Sequence, residues 1–405
     1  MPHSSGPSVL ARGAILSPFS ELRRLLDGIE PGHTEPIDLT IGEPREAMPP
    51  LVAEKIAEAA ASFAKYPPIR GTLDLRNAIV EWIAQRYGAG VAVDPSREVL
   101  PLNGSREGLF YAAVPAVGRK QIKDRPAILM CNPYYGAYLG AALAVDAEPV
   151  FLNATKTTGH LPDLDEITAD KALLDRTVAI YLCSPANPQG ANASTSYIGR
   201  ALELARAHGF MLFFDECYSE IYSADPPPGA LQVAATTPER FRNLVVFNSL
   251  SKRSNLPGLR SGFCAGDAEF LETFAEIRNL VAPQMPGPIQ HASAAVWREE
   301  DHVIANRQAY CQKYNVCDLH LGDRYGHRRP AGGFFLWLDV TDFGGSGDAA
   351  VTLWKHCGVK VLPGAFLAQA SRDGTNPGAN YVRLALVHDV ATVGKALERF
   401  VAVLA

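Results

Sequence analysis

No two cysteines of this 405-residue chain stand in C-x-x-C spacing. The seven present (Cys131, Cys183, Cys217, Cys264, Cys311, Cys317 and Cys357) are odd in number and scattered. That excludes a secreted-type disulfide framework and a zinc ribbon, and reads as reduced thiols in a cytoplasmic protein. No apolar run approaches the roughly 20 residues that span a bilayer. Residues 1–19 lack a signal peptide's apolar core, so a loose N-terminal arm is expected. There is no long basic block, and a formal net charge of −5 argues against nucleic acid or an anionic membrane as the main partner. The ten histidines are dispersed, without H-E-x-x-H or a Cys/His cluster, so no metal is expected. G-x-G-x-x-G and the P-loop motif are also missing.

The length is more than one ordinary core needs and implies about two domains. Apolar residues at helical spacing mark helices over 51–64 and 72–87. From about residue 99, short apolar runs alternate with amphipathic segments: 99–102, 127–131, 148–152, 177–183, 210–214, 244–247 and 262–265. That alternation predicts an α/β fold, a mostly parallel central sheet flanked by helices. Beyond about 290 come a long helical stretch (291–318), β-like runs at 333–339, 358–362 and 381–387, and a terminal helix from 391. These predict a smaller α+β domain.

Polar residues cluster just after the runs. Asn103-Gly104-Ser105-Arg106 follow the first, and Asn132-Pro133-Tyr134-Tyr135 the second. Ser184-Pro185-Ala186-Asn187-Pro188, Asp215-Glu216-Cys217-Tyr218 and Ser249 with Lys252 follow three others. In open α/β sheets ligands bind outside the carboxyl ends of the strands, so five such ends on one edge converge on one crevice.

Lys252 has Ser249 and Ser251 just before it and Arg260 eight residues on. An amine that forms an imine, with hydroxyls and a guanidinium for a phosphate, suits pyridoxal 5′-phosphate (PLP). A solvated surface lysine is the ordinary alternative. Asp215 ends an apolar run and needs a partner; a pyridinium N–H supplies one, although helix capping is also open to it. Asn187 and Tyr218 can bond a phenolic oxygen, though Asn-Pro also makes plain turns. Gly104, Ser105 and Arg106 precede an expected helix, 107–115, whose start suits phosphate or a simple cap. Tyr135 can stack on a planar ring or serve the core. Arg383 lies on an apolar run, where its fork matches a carboxylate or a structural ion pair.

These residues, from Ile41-Gly42-Glu43-Pro44 through Arg383, resemble the PLP-dependent aminotransferases of class I/II, fold type I. The resemblance implies that Lys252 carries the cofactor imine, Asp215 pairs with the pyridine nitrogen, and Asn187 and Tyr218 meet the phenolic oxygen. Tyr135 then stacks on the ring, and Gly104, Ser105, Arg106, Ser249 and Arg260 surround the phosphate. Gly42, Asn187 and Arg383 would hold the substrate α-carboxylate. Tyr66, in Tyr66-Pro67-Pro68-Ile69-Arg70-Gly71, resembles the tyrosine that reaches the neighbouring subunit's phosphate, which implies a homodimer. The implied organisation is residues 1–50 as arm and part of the small domain, 51–290 as the large PLP-binding domain, and 291–405 as the small C-terminal domain.

Within the family, the segments 104–110, 131–135 and 249–266 are closest to proteobacterial N-succinyldiaminopimelate aminotransferases of lysine and diaminopimelate biosynthesis. The expected activity is amino transfer between N-succinyl-L,L-diaminopimelate and 2-oxoglutarate, with aspartate or broad specificity as the alternative. No residue selects a succinylated side chain; Arg70 and Arg253 are distal-anion candidates or structural residues. A PLP lyase would use the same residues. Ser249-Leu250-Ser251-Lys252 also fits S-x-x-K acyl transfer, which leaves Asp215, Asn187 and Tyr218 unexplained. A non-catalytic binding protein on this fold usually has a DNA-binding segment or lacks the lysine, and neither holds here.

Overall fold

A computed structural model describes residues 17–281, 284–371 and 374–405. The arm expected at the N-terminus falls largely on residues 1–16, outside the described residues.

Among the described residues there are twelve strands. They are β1 (Ile37–Asp38), β2 (Val99–Leu102), β3 (Ala127–Asn132), β4 (Glu148–Asn153), β5 (Thr177–Cys183) and β6 (Met211–Asp215). The others are β7 (Leu244–Ser249), β8 (Gly262–Gly266), β9 (Phe335–Asp339), β10 (Val359–Lys360), β11 (Leu362–Pro363) and β12 (Tyr381–Ala385). The large sheet has the order β2-β8-β7-β6-β5-β3-β4. Only β8 runs against the others, pairing antiparallel with both β2 and β7. The carboxyl ends of β2, β3, β5, β6 and β7 therefore lie on one edge. In the centre Cys183, Asp215 and Phe247 stand level across β5, β6 and β7.

Both faces of this sheet are covered, which is why its central strands read as unbroken apolar runs. Leu212, Phe214, Leu244 and Val246 pack on one side with Leu75, Ile79 and Trp82 of the helix Leu73–Tyr87. Phe213, Val245 and Phe247 pack on the other with Leu109, Tyr138 and Phe270. Each such side chain, fully removed from water, contributes about 1.5–3 kcal/mol. The helix Leu73–Tyr87 starts where Thr72 accepts from the Leu75 N–H and stops at Gly88, φ 98°.

A second core joins β9 and β12 to Leu353, Leu397 and Phe400, and also takes in Cys217, Tyr218 and Ile221. β11, β12 and β9 form an antiparallel sheet, and β1 pairs parallel with β10.

Three expected helices differ in extent. The stretch 291–318 is two helices, Gly287–Arg298 and Asp301–Leu321. They part where the Glu299 carboxylate caps the second by accepting from the Asp301 N–H at 2.8 Å. The expected helix 107–115 is Ser105–Tyr111 followed by Ala113–Arg119, and 51–64 is an α-helix only over Leu51–Glu58. Among the described residues no helix is long and apolar enough to cross a membrane, and no three His, Cys, Asp or Glu side chains are placed to hold a metal ion. All seven cysteines are free thiols.

Candidate active site at the carboxyl edge of the large sheet

Asp215 ends β6 with its carboxylate buried. Tyr138 donates its hydroxyl to Oδ2 at 2.7 Å, and the Cys217 N–H donates to Oδ1 at 3.1 Å. Burial still holds its pKa above the ordinary value. Tyr138 was not singled out from sequence: it lies in an apolar helix, Gly136–Ala144, and meets Asp215 only through the fold. Its ring touches Tyr135 edge-on at 5.6 Å.

Lys252 sits on a one-turn helix, Leu250–Arg253, entered from β7 through Ser249. The Ser249 hydroxyl accepts from the Ser251 N–H and reaches the Ser261 carbonyl at 3.1 Å. Lys252 Nζ donates to the Gly42 carbonyl and lies 5.3 Å from the centre of the Phe334 ring. Burial lowers the amine's pKa to about 8, with the Arg383 and Arg106 charges acting the same way, against Cys217 and Glu43. Gly42 stands where a Cβ would strike Phe335 at 2.6 Å.

Arg383, on β12, reaches across to the same place. Its Nη2 donates to the Thr40 carbonyl at 2.7 Å and its Nη1 to Asn187 Oδ1 at a long 3.3 Å. Its guanidinium lies 4.3 Å over the Phe335 ring. Nε is buried without a partner, and burial lowers the group's pKa to about 10. Tyr218 is buried edge-on to Phe334 and Phe335, and burial raises its phenol well above the ordinary range while Arg383 opposes.

Gly104 (φ 83°) precedes the helix Ser105–Tyr111. A Cβ at Gly104 would come within 2.3 Å of Arg260 Nη2, so the left-handed backbone and the close approach both require glycine. Arg260 donates to the Asn103 and Pro257 carbonyls. Ser105 accepts from the Cys217 thiol at 3.0 Å. Arg106 donates through Nε to the Tyr135 hydroxyl at 2.5 Å and lies 5.4 Å over that ring.

Direct contacts thus join Lys252 to Gly42, Arg383 to Asn187, and Arg106 to Tyr135, while Arg260 lies against Gly104. Tyr66 is not brought in: its side chain is fully exposed. Arg253, one residue from Lys252, points into the core instead, donating to the Val296, Trp297 and Glu299 carbonyls and pairing with Glu300. Arg70 pairs with Glu272 at 3.0 Å. Both candidate distal arginines therefore have protein partners.

The family model described as aminotransferase class I and II matches residues 34–400. Among solved structures, an aminotransferase from Neisseria meningitidis Z2491 is 38% identical, with a TM-score of 0.91 over 97% of this chain and 99% of that one. The LL-diaminopimelate aminotransferase of Nitratidesulfovibrio vulgaris (strain DSM 19637 / Miyazaki F) is 28% identical over 371 residues, 90% of each chain. The 4-dedimethylamino-4-oxo-anhydrotetracycline transaminase OxyQ of Streptomyces rimosus is 31% identical over 368 residues, 90% of this chain and 92% of its own.

Proposed function

We propose, for a chain that belongs to the class I and II aminotransferase family, that the cluster at the sheet edge is its active site and that its amino donor carries a second, distal carboxylate. Members of this family are PLP-dependent in general, and they act on small amino and oxo acids.

The donor set fits PLP. A buried amine of lowered pKa suits its aldehyde, and the buried Asp215 carboxylate suits a pyridinium N–H. Asn187 and Tyr218 would meet the phenolic oxygen and Tyr135 the ring face. Gly104, Ser249 and Arg260, with the backbone N–H groups of Ser105 and Arg106, would surround the phosphate. When bound, the cofactor supplies an electron sink for charge developing at the substrate α-carbon.

The protein's own residues do the rest. Arg383 has an unpartnered Nε and a long bond to Asn187, so a substrate carboxylate gains more from its fork than the protein loses. Asn187 and the Gly42 backbone complete that subsite. The Lys252 amine, neutral from about pH 8 upward, takes the proton from the substrate α-carbon and returns it as general acid in the reverse half-reaction.

The lowered pKa makes a prediction. Capture of PLP by the apo protein should quicken by about tenfold per pH unit and level off near pH 8. Stopped-flow absorbance reads this. A rise continuing past pH 9.5, towards the ordinary 10.5, would show an unperturbed amine.

The observation that carries the substrate reading is Arg106. Among the described residues it meets only Tyr135 and has no carboxylate partner, yet its charge acts on Lys252. A guanidinium so placed suits a distal carboxylate on the substrate. A diaminopimelate skeleton carries one, whether free or N-succinylated, and the relatives named LL-diaminopimelate aminotransferases support that skeleton. The N-succinyl compound stays the first donor to test, because of the resemblance of segments 104–110, 131–135 and 249–266.

With 2-oxoglutarate as acceptor, N-succinyl-L,L-diaminopimelate and LL-diaminopimelate should outrun phenylalanine and alanine in kcat/KM. Arg106→Gln should narrow that preference by about 10- to 100-fold, the worth of one charge-assisted hydrogen bond. An aromatic donor turning over fastest would sink this substrate reading and leave the family standing.

The homodimer and the domain division at about 50 and 290 belong to the same reading. Tyr66 is exposed with Phe63, Ile69 and Leu73 nearby in sequence, as a face covered by a second copy would be. A cytoplasmic location rests on the seven free thiols.

A further inference from the structure

We propose that Lys313, through its ion pair with Glu46, is a positioning residue for the substrate-carboxylate site. Arg383 and Lys252 both donate to the backbone of one irregular segment: Arg383 to the Thr40 carbonyl at 2.7 Å, and Lys252 to the Gly42 carbonyl. Residues 39–50 carry neither helix nor strand. Upstream, the segment is fixed at Leu39, whose N–H donates to Lys360 and whose carbonyl accepts from Ala385. Downstream, the Lys313 ammonium holds Glu46 at 2.8 Å. Among the described residues Arg45 has one side-chain hydrogen bond, an exposed contact to His388 at 3.1 Å.

The Lys313 side chain is 1% exposed, against 36% for Glu46. A buried ammonium needs a counter-charge, so the lysine dictates where Glu46 stands rather than the reverse. Lys313 lies on the helix Asp301–Leu321. Two turns earlier, on the same face, Asn306 donates to the Lys252 carbonyl at 3.3 Å. Between them Tyr310 stacks on Phe334, the ring beside the Lys252 amine. One helix face thus refers both the lysine turn and the Thr40–Gly42 carbonyls to a common frame. The proposal rests on the reading of Arg383 and Gly42 as the carboxylate site.

The test is Lys313→Met in the holoenzyme, which leaves Glu46 partly hydrated, whereas Glu46→Gln would strand a buried charge. The double variant Lys313→Met/Glu46→Gln removes both charges and keeps the test open if the single one folds poorly. Two readouts are taken: donor titration, and the rate of tryptic cleavage after Arg45 without substrate. KM should rise about tenfold with kcat within about threefold, and cleavage after Arg45 should quicken about tenfold. Parent values for both, or a raised KM with unchanged cleavage, overturn the proposal. Faster cleavage with an unchanged KM upholds the positioning and instead removes Arg383 and Gly42 from the carboxylate site.

Discussion

Lys252→Ala lowers kcat by at least about 10⁴-fold, because the amine proposed for the reacting centre is lost together with its proton transfer. Alanine leaves the turn intact: Ser249 still caps it, and Asn306 still bonds the backbone carbonyl at position 252. The loss is therefore chemical rather than structural, and two measurements separate the cases. The visible absorbance of the bound cofactor should disappear while the melting transition stays cooperative. Added small primary amines should restore part of the turnover, since the truncation opens a space beside Phe334 where an amine can sit. A variant that keeps turnover within tenfold of the parent would end the assignment of Lys252.

Asp215→Asn lowers kcat by about 10²- to 10⁴-fold at saturating cofactor, the range expected when one partner of a buried charge pair is removed. The same substitution changes how the apo protein responds to pH. Burial raises the carboxyl's pKa above 3.8, so the folded state holds its proton more tightly than the unfolded chain does. Stability from this group is therefore lost as pH rises through the window above 3.8. Asparagine has no such proton. The stability difference between variant and parent should move in the variant's favour as pH is raised from about 4 to 7. Paired apo melting curves check the sign, and movement the other way would mean that Asp215 is better solvated by Tyr138 and Cys217 than its burial implies.

Much of the site was legible because β5, β6 and β7 are buried on both faces. Their apolar runs stop abruptly at Ser184, Asp215 and Asn248, and the change to polar residues marks the edge on which the proposed site lies. The residues that escaped notice act through contacts distant in the chain. Tyr138 is 77 residues from Asp215, and Phe334 reads as one more aromatic before an apolar strand. The Thr40 carbonyl that accepts from Arg383 is backbone and leaves no residue-type signal.

Arg253 illustrates a finer limit. It stands beside Lys252 in a polar stretch, and sequence alone leaves it open as a distal-anion contact or a structural residue. On a one-turn helix, adjacent side chains diverge by about 100°, so one enters the site and the other the core. The break at Glu299 was hidden for a different reason. No glycine or proline marks it, and the second helix begins on a carboxylate cap that looks like any surface glutamate.

The inward turn of Arg253 has a mechanical corollary. Its guanidinium satisfies the terminal carbonyls at Val296 and Trp297 of the helix Gly287–Arg298, and that of Glu299 just beyond. The turn bearing Lys252 is thereby bolted to the joint at which the chain enters the helix Asp301–Leu321. The backbone under Lys252 and the start of that helix are therefore tied into one unit: neither can shift without stretching the guanidinium bonds that join them.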